Sequence, residues 1–336
     1  MLAALISLCS PALAVDGKAT KTPAASAKGC GGSDLLAELA TTDPAAYTRV
    51  ARGAEAALNG NALLWKIERE GTPASYIFAT LHLTDERITT LPDKVRTALS
   101  SSTQVLLEAA DVSQGASASA LADASKAALF SDGQTLEKLL TPEEYAKAKA
   151  ALDLAGLPGA VVHLYRPWIV SLFIAATACE REKLKRGIPI LDMQIAAEAK
   201  SRGTPVAGLE TIDQQLSALA SLPEDQQLGM LRASLAMHER TNDLAETLVR
   251  LYLDRRTGAA WPLQLVLAEK AGIGADAFQG FQDKIVNERN IKMRDAATPY
   301  LEKGGAFIAV GALHLIGKSG LVELIREKGY TVTALQ

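Results

Sequence analysis

Four apolar stretches of the chain each lead to a side chain that can bind a metal ion or move a proton. YIFATLHL, at residues 76–83, carries His82, and AFIAVGALHLIG, at residues 306–317, carries His314. TQVLLEA leads to Glu108 and TPVAGLE leads to Glu210. Two imidazoles and two carboxylates form a suitable first shell for a divalent metal such as Zn²⁺ or Mn²⁺.

The two histidine stretches share one arrangement. A small residue, Ala79 or Gly311, lies three positions before the histidine in each of them, and the chain has only four histidines. A small residue lets the backbone make a tight turn or approach a ligand closely. The repetition favours a shared site. The alternative at this point is that each histidine is a hydrogen-bonded structural residue and that each glutamate caps a helix or faces solvent.

The elements that must position these residues are strands near both ends of the chain. Strand patterns cluster at residues 63–108 and 305–334, and a long helical region with one short strand lies between them. This order predicts an α/β fold: a mixed central sheet of N- and C-terminal strands, with a helical insertion or cap at about residues 117–303. Ligands of open α/β sheets bind beyond the carboxyl ends of the strands, so parallel neighbours would bring the four side chains to one edge.

The first residues predict export from the cytoplasm. MLAALISLCSPALA, residues 1–14, resembles a signal peptide with a small-residue cleavage site, although an ordinary buried helix is the alternative. Residues 15–33 are small and polar, which is typical of a linker. We therefore expect residues 34–336 to form a single domain in the periplasm or outside the cell. A net charge of −3 argues against a nucleic-acid partner.

Cys30 and Cys179 are the cysteines that remain after the expected cleavage. In an oxidising compartment they can form one disulfide, and two independent thiols are the alternative. Cys179 ends PWIVSLFIAATAC, an apolar run too short to span a bilayer. We therefore expect no transmembrane segment in the mature chain.

Several stretches in order make the chain resemble the TraB/GumN family, which includes the Tiki metalloproteases. They begin with LLWKIE, YIFATLHL and VLLE, continue with LDMQIAAEAKSRGTPVAGLET, and end with ERNIKM and AFIAVGALHLIGKSGLVELIREKGYTV. The family carries two Gly-x-x-His motifs, an acidic residue and an Arg-Asn pair. GALH keeps the motif, whereas ATLH has Ala79 at the glycine position. Alanine adopts positive φ less readily than glycine, so the first motif would be distorted if it needs that geometry.

The resemblance implies metal-linked roles for His82 and His314 and identifies Glu108 with the family's acidic position. It identifies Arg289 and Asn290 with the Arg-Asn pair and Glu210 with a recurrent glutamate. The metal would be Mn, Co or Zn, held by the two histidines and one carboxylate, with the second carboxylate as general base. Arg289 could hold a substrate carboxylate or an oxyanion, and Asn290 could donate to the scissile carbonyl. Without this resemblance, the charged sequence around Arg289 and Asn290 predicts that both are solvent-exposed residues of a helix.

Two functions follow from this interpretation. The first is an extracytoplasmic metal-dependent hydrolase that acts on peptides. The second is a non-catalytic protein that binds or sequesters a peptide in the same cleft. The other histidines have weaker patterns: His163 precedes a helix, and His238 is expected on the solvated face of a long helix. The sequence leaves the substrate and the oligomeric state open.

Overall fold

The computed structural model describes residues 30–110 and 126–335. The expected signal peptide, most of the expected linker and the expected start of the insertion lie outside these residues. A six-stranded sheet forms the centre, in the order β4-β3-β5-β2-β1-β6. Its strands are β1 (Leu64–Glu68), β2 (Ser75–Thr80), β3 (Gln104–Ala109), β4 (Val206–Glu210), β5 (Ala306–Gly311) and β6 (Thr331–Ala334).

Strands β2, β3, β4 and β5 run parallel, whereas β1 pairs antiparallel with β2 on one side and with β6 on the other. Strand β5 lies in the interior of the sheet, and all six of its residues are buried. This burial explains its unbroken apolar sequence, AFIAVG, because a parallel strand covered on both faces shows no polar alternation. The predicted α/β class and the mixed sheet of N- and C-terminal strands are confirmed.

Helices cover the sheet and fill the long middle region. They are α1 (Leu35–Thr42), α2 (Pro44–Ala56), α3 (Glu86–Thr89), α4 (Asp93–Ser101), α5 (Leu136–Leu139), α6 (Pro142–Leu154), α7 (Pro167–Ile174), α8 (Ala178–Lys185), α9 (Leu191–Ser201), α10 (Ile212–Ala220), α11 (Glu224–Ala236), α12 (Thr241–Leu253), α13 (Ala260–Lys270), α14 (Glu288–Lys303) and α15 (Leu321–Glu327). In the described parts of the chain, no helix combines the length and the apolar character needed to cross a membrane.

The N-terminal helical pattern forms two helices because Asp43 caps a new helix between them. Its side chain accepts from the backbone N–H of Ala46, and Pro44 occupies the first turn of α2, where its missing N–H costs nothing. Just before α1, Cys30 forms a disulfide with Cys179 of α8, with the Cα atoms 5.5 Å apart. The predicted disulfide is confirmed, and it joins the start of the described chain to the middle region.

The local structure around two histidines differs from the expectation. Strand β5 ends at Gly311, and His314 lies in a short 3₁₀ helix, Ala312–Leu315, rather than at the strand end. His238 lies in the 3₁₀ helix His238–Arg240 between α11 and α12, so the expected long helix is interrupted there. The turn after β5 matters for the site, because it directs the His314 ring back toward β3.

Candidate functional site

The side chains of His82, Glu108 and His314 meet at the carboxyl edge of the parallel strands. Nε2 of His82 lies 3.6 Å from Oε2 of Glu108, and Nε2 of His314 lies 3.6 Å from Oε1 of the same carboxylate. The backbone N–H of Gly311 donates to Oε2 of Glu108 over 3.1 Å. All three side chains are buried. One glutamate therefore stands between two imidazoles that follow separate strands, β2 and β5.

Each imidazole is oriented through its other nitrogen. Nδ1 of His82 contacts Oδ2 of Asp192 at 2.8 Å, and Thr80 donates its hydroxyl to Oδ1 of the same carboxylate at 2.7 Å. Nδ1 of His314 contacts Oδ1 of Asn290 at 2.6 Å. An N–H held by an oxygen at Nδ1 fixes the tautomer and leaves Nε2 available, which is the usual arrangement of metal-binding histidines.

Asp192 is a site residue that the sequence reasoning did not single out. It lies in the first turn of α9 and is 8% exposed. In the sequence LDMQI it is one acidic residue among apolar residues, which is a weak signal, because only the packing of α9 shows that it is buried. A buried carboxylate needs a partner, and such a residue is therefore a candidate site member.

Arg289 joins the two carboxylates. Its Nε donates to both oxygens of Glu210, at 3.0 and 3.1 Å, and its Nη2 donates to Glu108 and Glu210. Its Nη1 donates to the carbonyl of Ile285 at 3.2 Å. Gln215 adds donors to Glu108 at 3.1 Å and to Glu210 at 2.8 Å. Since Arg289 is 5% exposed, its interpretation as a solvated helix residue is wrong.

A π-helix leads into the Arg-Asn pair. Residues Phe281–Asn287 form it, and α14 follows at once with Arg289 and Asn290 in its first turn. Asn290 is fully buried and donates its amide Nδ2 to the carbonyl of Ser319 at 2.8 Å, so the solvated interpretation is wrong for it as well. The wider π turn is rare and is frequent at functional sites. The sequence pattern of a charged helix carried no sign of this turn.

The two imidazoles have opposite pKa shifts. Burial lowers the pKa of His82, but the carboxylates of Asp192 and Glu108 outweigh burial and raise it to about 10. Burial also lowers the pKa of His314, and the positive charges of Arg289 and His82 add to that effect against Glu108, giving about 4. Near neutral pH, without a metal ion, the His82 ring is therefore the positively charged imidazolium, with both nitrogens protonated, whereas the His314 ring is neutral.

The two glutamates also differ. Burial raises the pKa of Glu108, but His314, Arg289 and His82 together hold it well below the usual range for a glutamate. Burial raises the pKa of Glu210, and the bonds to Arg289 only partly offset that shift. Glu108 is therefore the ionised carboxylate that faces the imidazoles, while both oxygens of Glu210 accept from Arg289.

Imidazole nitrogens and carboxylate oxygens are groups that bind divalent metal ions. Nitrogen donors of a tetrahedral zinc site, at roughly 2.0–2.1 Å from the ion, are separated by roughly 3.4 Å, close to the separations of both Nε2 atoms from Glu108. Within residues 30–110 and 126–335, no three His, Cys, Asp or Glu side chains are already gathered tightly enough to enclose an ion. Binding would therefore draw these side chains closer together and would release the proton of His82.

A small cavity opens beside the imidazoles. His82 and His314 lie on one side of it, and residues of α12 and α13 and the ends of β2 and β5 contribute to the remaining wall. Apolar side chains, including Leu248, Leu251 and Leu313, line much of this wall. Both imidazoles therefore border this cavity.

Comparison with known proteins identifies the family. The model of the TraB/PrgY/gumN family matches residues 63–334, which include every element that carries the site. The chain belongs to this family. No solved structure matches the chain at a significant level.

The curated relatives are distant. The chain is 25% identical over 317 residues to metalloprotease TIKI1 of Danio rerio, a match that covers 81% of this chain and 63% of the relative. It is 26% identical over 275 residues to the uncharacterized protein YbaP of Shigella flexneri, covering 81% and 96%. A match to metalloprotease TIKI2 of Danio rerio covers 60% of that protein. The chain thus spans about three fifths of these two TIKI relatives, and the comparisons support a possible relationship to proteases.

Proposed function

We propose that this protein is a metal-dependent peptidase that acts on peptides outside the cytoplasm. One observation carries the proposal: His82 and His314 are each fixed through Nδ1, and each directs Nε2 at the same ionised glutamate. The distant relationship to proteins named metalloproteases supports it.

His82 and His314 would hold the ion, with Glu108 beside them. A divalent metal there would polarise a peptide carbonyl and lower the pKa of a water molecule. Glu108 is ionised and contacts both imidazoles, so we assign it to accept the proton that the attacking water releases. Metal binding and proton transfer would then share one buried carboxylate.

Arg289, Glu210 and Asn290 are better suited to positioning than to direct contact with substrate. Arg289 uses its donors on two glutamates and a backbone carbonyl, so it has little capacity left for an oxyanion. Among the described contacts Glu108, and not Glu210, lies beside the imidazoles, which argues against Glu210 as the general base. Asn290 uses its oxygen on His314 and its amide group on Ser319.

The disulfide supports a location outside the cytoplasm. A bridge between Cys30 and Cys179 is typical of a protein in an oxidising compartment, since cytosolic thiols are kept reduced. The signal-like sequence at residues 1–14 points the same way. We therefore propose that the mature protein acts in the periplasm or outside the cell.

Metal content and peptide hydrolysis test the function together. Purified protein is expected to bind Mn, Co or Zn and to hydrolyse a mixed peptide library, with loss of activity in chelator and recovery on adding metal back. His314→Ala should lower metal occupancy and activity at least about 100-fold, because it removes one of two imidazole ligands. The measurements are elemental analysis and mass spectrometry of the peptides.

His163→Ala is the matched control, since His163 is a histidine outside the site and bonds only the carbonyl of Ala160 among the described contacts. It should leave metal content and hydrolysis unchanged. Saturable peptide binding without hydrolysis under any metal condition would replace the proposal with the second function, a non-catalytic peptide-binding protein. The same cleft and the same imidazoles would then serve recognition alone.

A further inference from the structure

The cavity beside the imidazoles has a wall suited to one chemical class of side chain. We propose that it binds a short aliphatic side chain of a peptide, such as leucine, isoleucine, valine or methionine, next to the bond that the imidazoles face. This inference rests on the proposed function for the reaction, but the binding preference can be tested without hydrolysis.

The composition of the wall argues for an apolar occupant. Among the described residues that line the cavity, the histidines are the only titratable side chains other than Tyr252, and none is Asp, Glu, Lys or Arg. The wall includes four leucines: Leu248 and Leu251 of α12, Leu313 after β5 and Leu81 after β2. A charged side chain placed here would lose its hydration without gaining an ionic partner, except at the imidazoles.

The polar groups of the wall are already engaged by the protein. The pairs are the Thr80 hydroxyl with Asp192 at 2.7 Å, the Tyr252 hydroxyl with the Ala79 carbonyl at 2.8 Å, the Thr257 hydroxyl with the Gly60 carbonyl at 3.4 Å, and the Gln264 amide with the Ala260 carbonyl at 3.3 Å. Because their donors point at protein atoms, these groups offer a substrate few hydrogen bonds. The wall therefore selects by shape and apolar contact.

The size of the cavity limits the occupant. Its volume is about 50 Å³, roughly a third of the ~150 Å³ cavity that holds a benzene ring in another protein. A cavity of this size suits the branched end of an aliphatic side chain better than an aromatic ring. A phenylalanine or tryptophan side chain is too large unless the wall moves.

The test uses blocked pentapeptides that are identical except at one residue, which is varied from glycine through alanine, valine, leucine and phenylalanine to lysine and aspartate. Binding to the intact protein is measured by calorimetry in EDTA, so that affinity is read without metal-dependent turnover. The varied residue is moved through each position of the peptide. At one position, leucine or valine is expected to bind about tenfold more tightly than glycine, lysine or aspartate.

Two variants shift this preference in opposite directions. Ala260→Leu narrows the cavity and should move the optimum toward alanine, whereas Leu248→Ala widens it and should admit phenylalanine. Ala271→Leu is the matched control, because it adds the same side chain at an exposed position just after α13 and should leave the order of affinities unchanged. Circular dichroism of each variant checks that it is folded.

The outcomes separate this inference from the proposed function. Hydrolysis with equal affinity for every side chain, or with the same order in Ala260→Leu and wild type, would overturn the aliphatic preference and leave the peptidase intact. An aliphatic preference without hydrolysis would support the cavity and overturn the peptidase. No detectable binding of any peptide would overturn the inference.

Discussion

The two histidine motifs have the same sequence spacing and different chemical surroundings. We call residues 79–82 the first half-site and residues 311–314 the second half-site. His82 in the first is held by a carboxylate, Asp192, and its pKa is raised to about 10. His314 in the second is held by an amide oxygen, Asn290, and its pKa is lowered to about 4. The motif thus places each ring, and the surroundings set its pKa: the carboxylate of Asp192 raises that of His82, whereas burial dominates at His314.

The small residues of the half-sites, Ala79 and Gly311, also have different structural roles. Gly311 has φ −52°, so the motif does not use positive φ there. A Cβ on Gly311 would lie 3.1 Å from Nε2 of His82 and 3.3 Å from Oε2 of Glu108. In the sheet register Thr80, not Ala79, pairs with Gly311, and Ala79 pairs with Val310. Since neighbouring residues of a strand point to opposite faces, Ala79 should direct its methyl group away from Glu108.

The largest expected effect is therefore at Gly311. Gly311→Ala should reduce metal binding and peptide hydrolysis by up to about 100-fold, because its methyl group would force His82 or Glu108 to shift. Ala79→Gly should leave the site working and lower the free energy of unfolding by about 1–2 kcal/mol, from the backbone freedom of glycine and the loss of a buried methyl group. Hydrolysis assays and denaturant titrations measure the two effects.

These two variants decide what the small residue is for. Equal losses of activity from Gly311→Ala and Ala79→Gly would show that the half-sites are equivalent and that the register argument is wrong. Rescue of Gly311→Ala by added metal would show that the methyl group weakens binding without disturbing Glu108. The expected result is a large loss at Gly311 that metal does not restore.

Exchanging the Nδ1 partners should move the two pKa values toward each other. Asp192→Asn removes the largest charge that opposes burial, so the pKa of His82 should fall. Asn290→Asp adds a negative charge beside His314, so its pKa should rise. Each change should cost about 10–100-fold in metal affinity. Labelled histidine NMR in EDTA reads the pKa values directly, since the chain has only four histidines.

A merely structural role for Asp192 would give a different pattern. Loss of metal affinity with no change in the pKa of His82 would contradict the charge assignment. Asp192→Glu serves as the charge-conserving control: it should keep the pKa of His82 high even if the longer side chain weakens metal binding. The thermal unfolding of all three variants shows whether stability accounts for the loss.

Much of the sheet edge could be predicted from the sequence, because buried strands appear as short apolar runs. The apolar runs before His82, Glu108, Glu210 and His314 identified β2, β3, β4 and β5, and their parallel pairing brings these residues to one edge. The pair Cys30–Cys179 was also accessible, since few cysteines remain after the expected cleavage. These features depend on local patterns and on simple counting.

The second layer of the site was not accessible in the same way. Asp192 and Gln215 reach the site from helices whose sequences resemble any amphipathic helix, and only the packing of those helices on the sheet turns them inward. The π-helix before Arg289 has no sequence period that distinguishes it from an α-helix. For the same reason Arg289 and Asn290 resembled solvated residues, although both are buried.

The smallest effect on the site should come from the disulfide, and it should reach one half-site only. Glu180, next to Cys179, accepts from the backbone N–H and the hydroxyl of Thr84 at 2.9 and 2.8 Å, and Thr84 lies two residues after His82. Replacing Cys30 and Cys179 with serine should lower the free energy of unfolding by about 2–4 kcal/mol.

The effect of this double replacement on the site is read at temperatures where the variant stays folded. The NMR signals of His82 should shift while those of His314 stay in place, and hydrolysis should fall by no more than a few-fold. A larger shift at His314 than at His82 would contradict the connection through Glu180 and Thr84, and unchanged stability would show that the bridge does not constrain the unfolded chain.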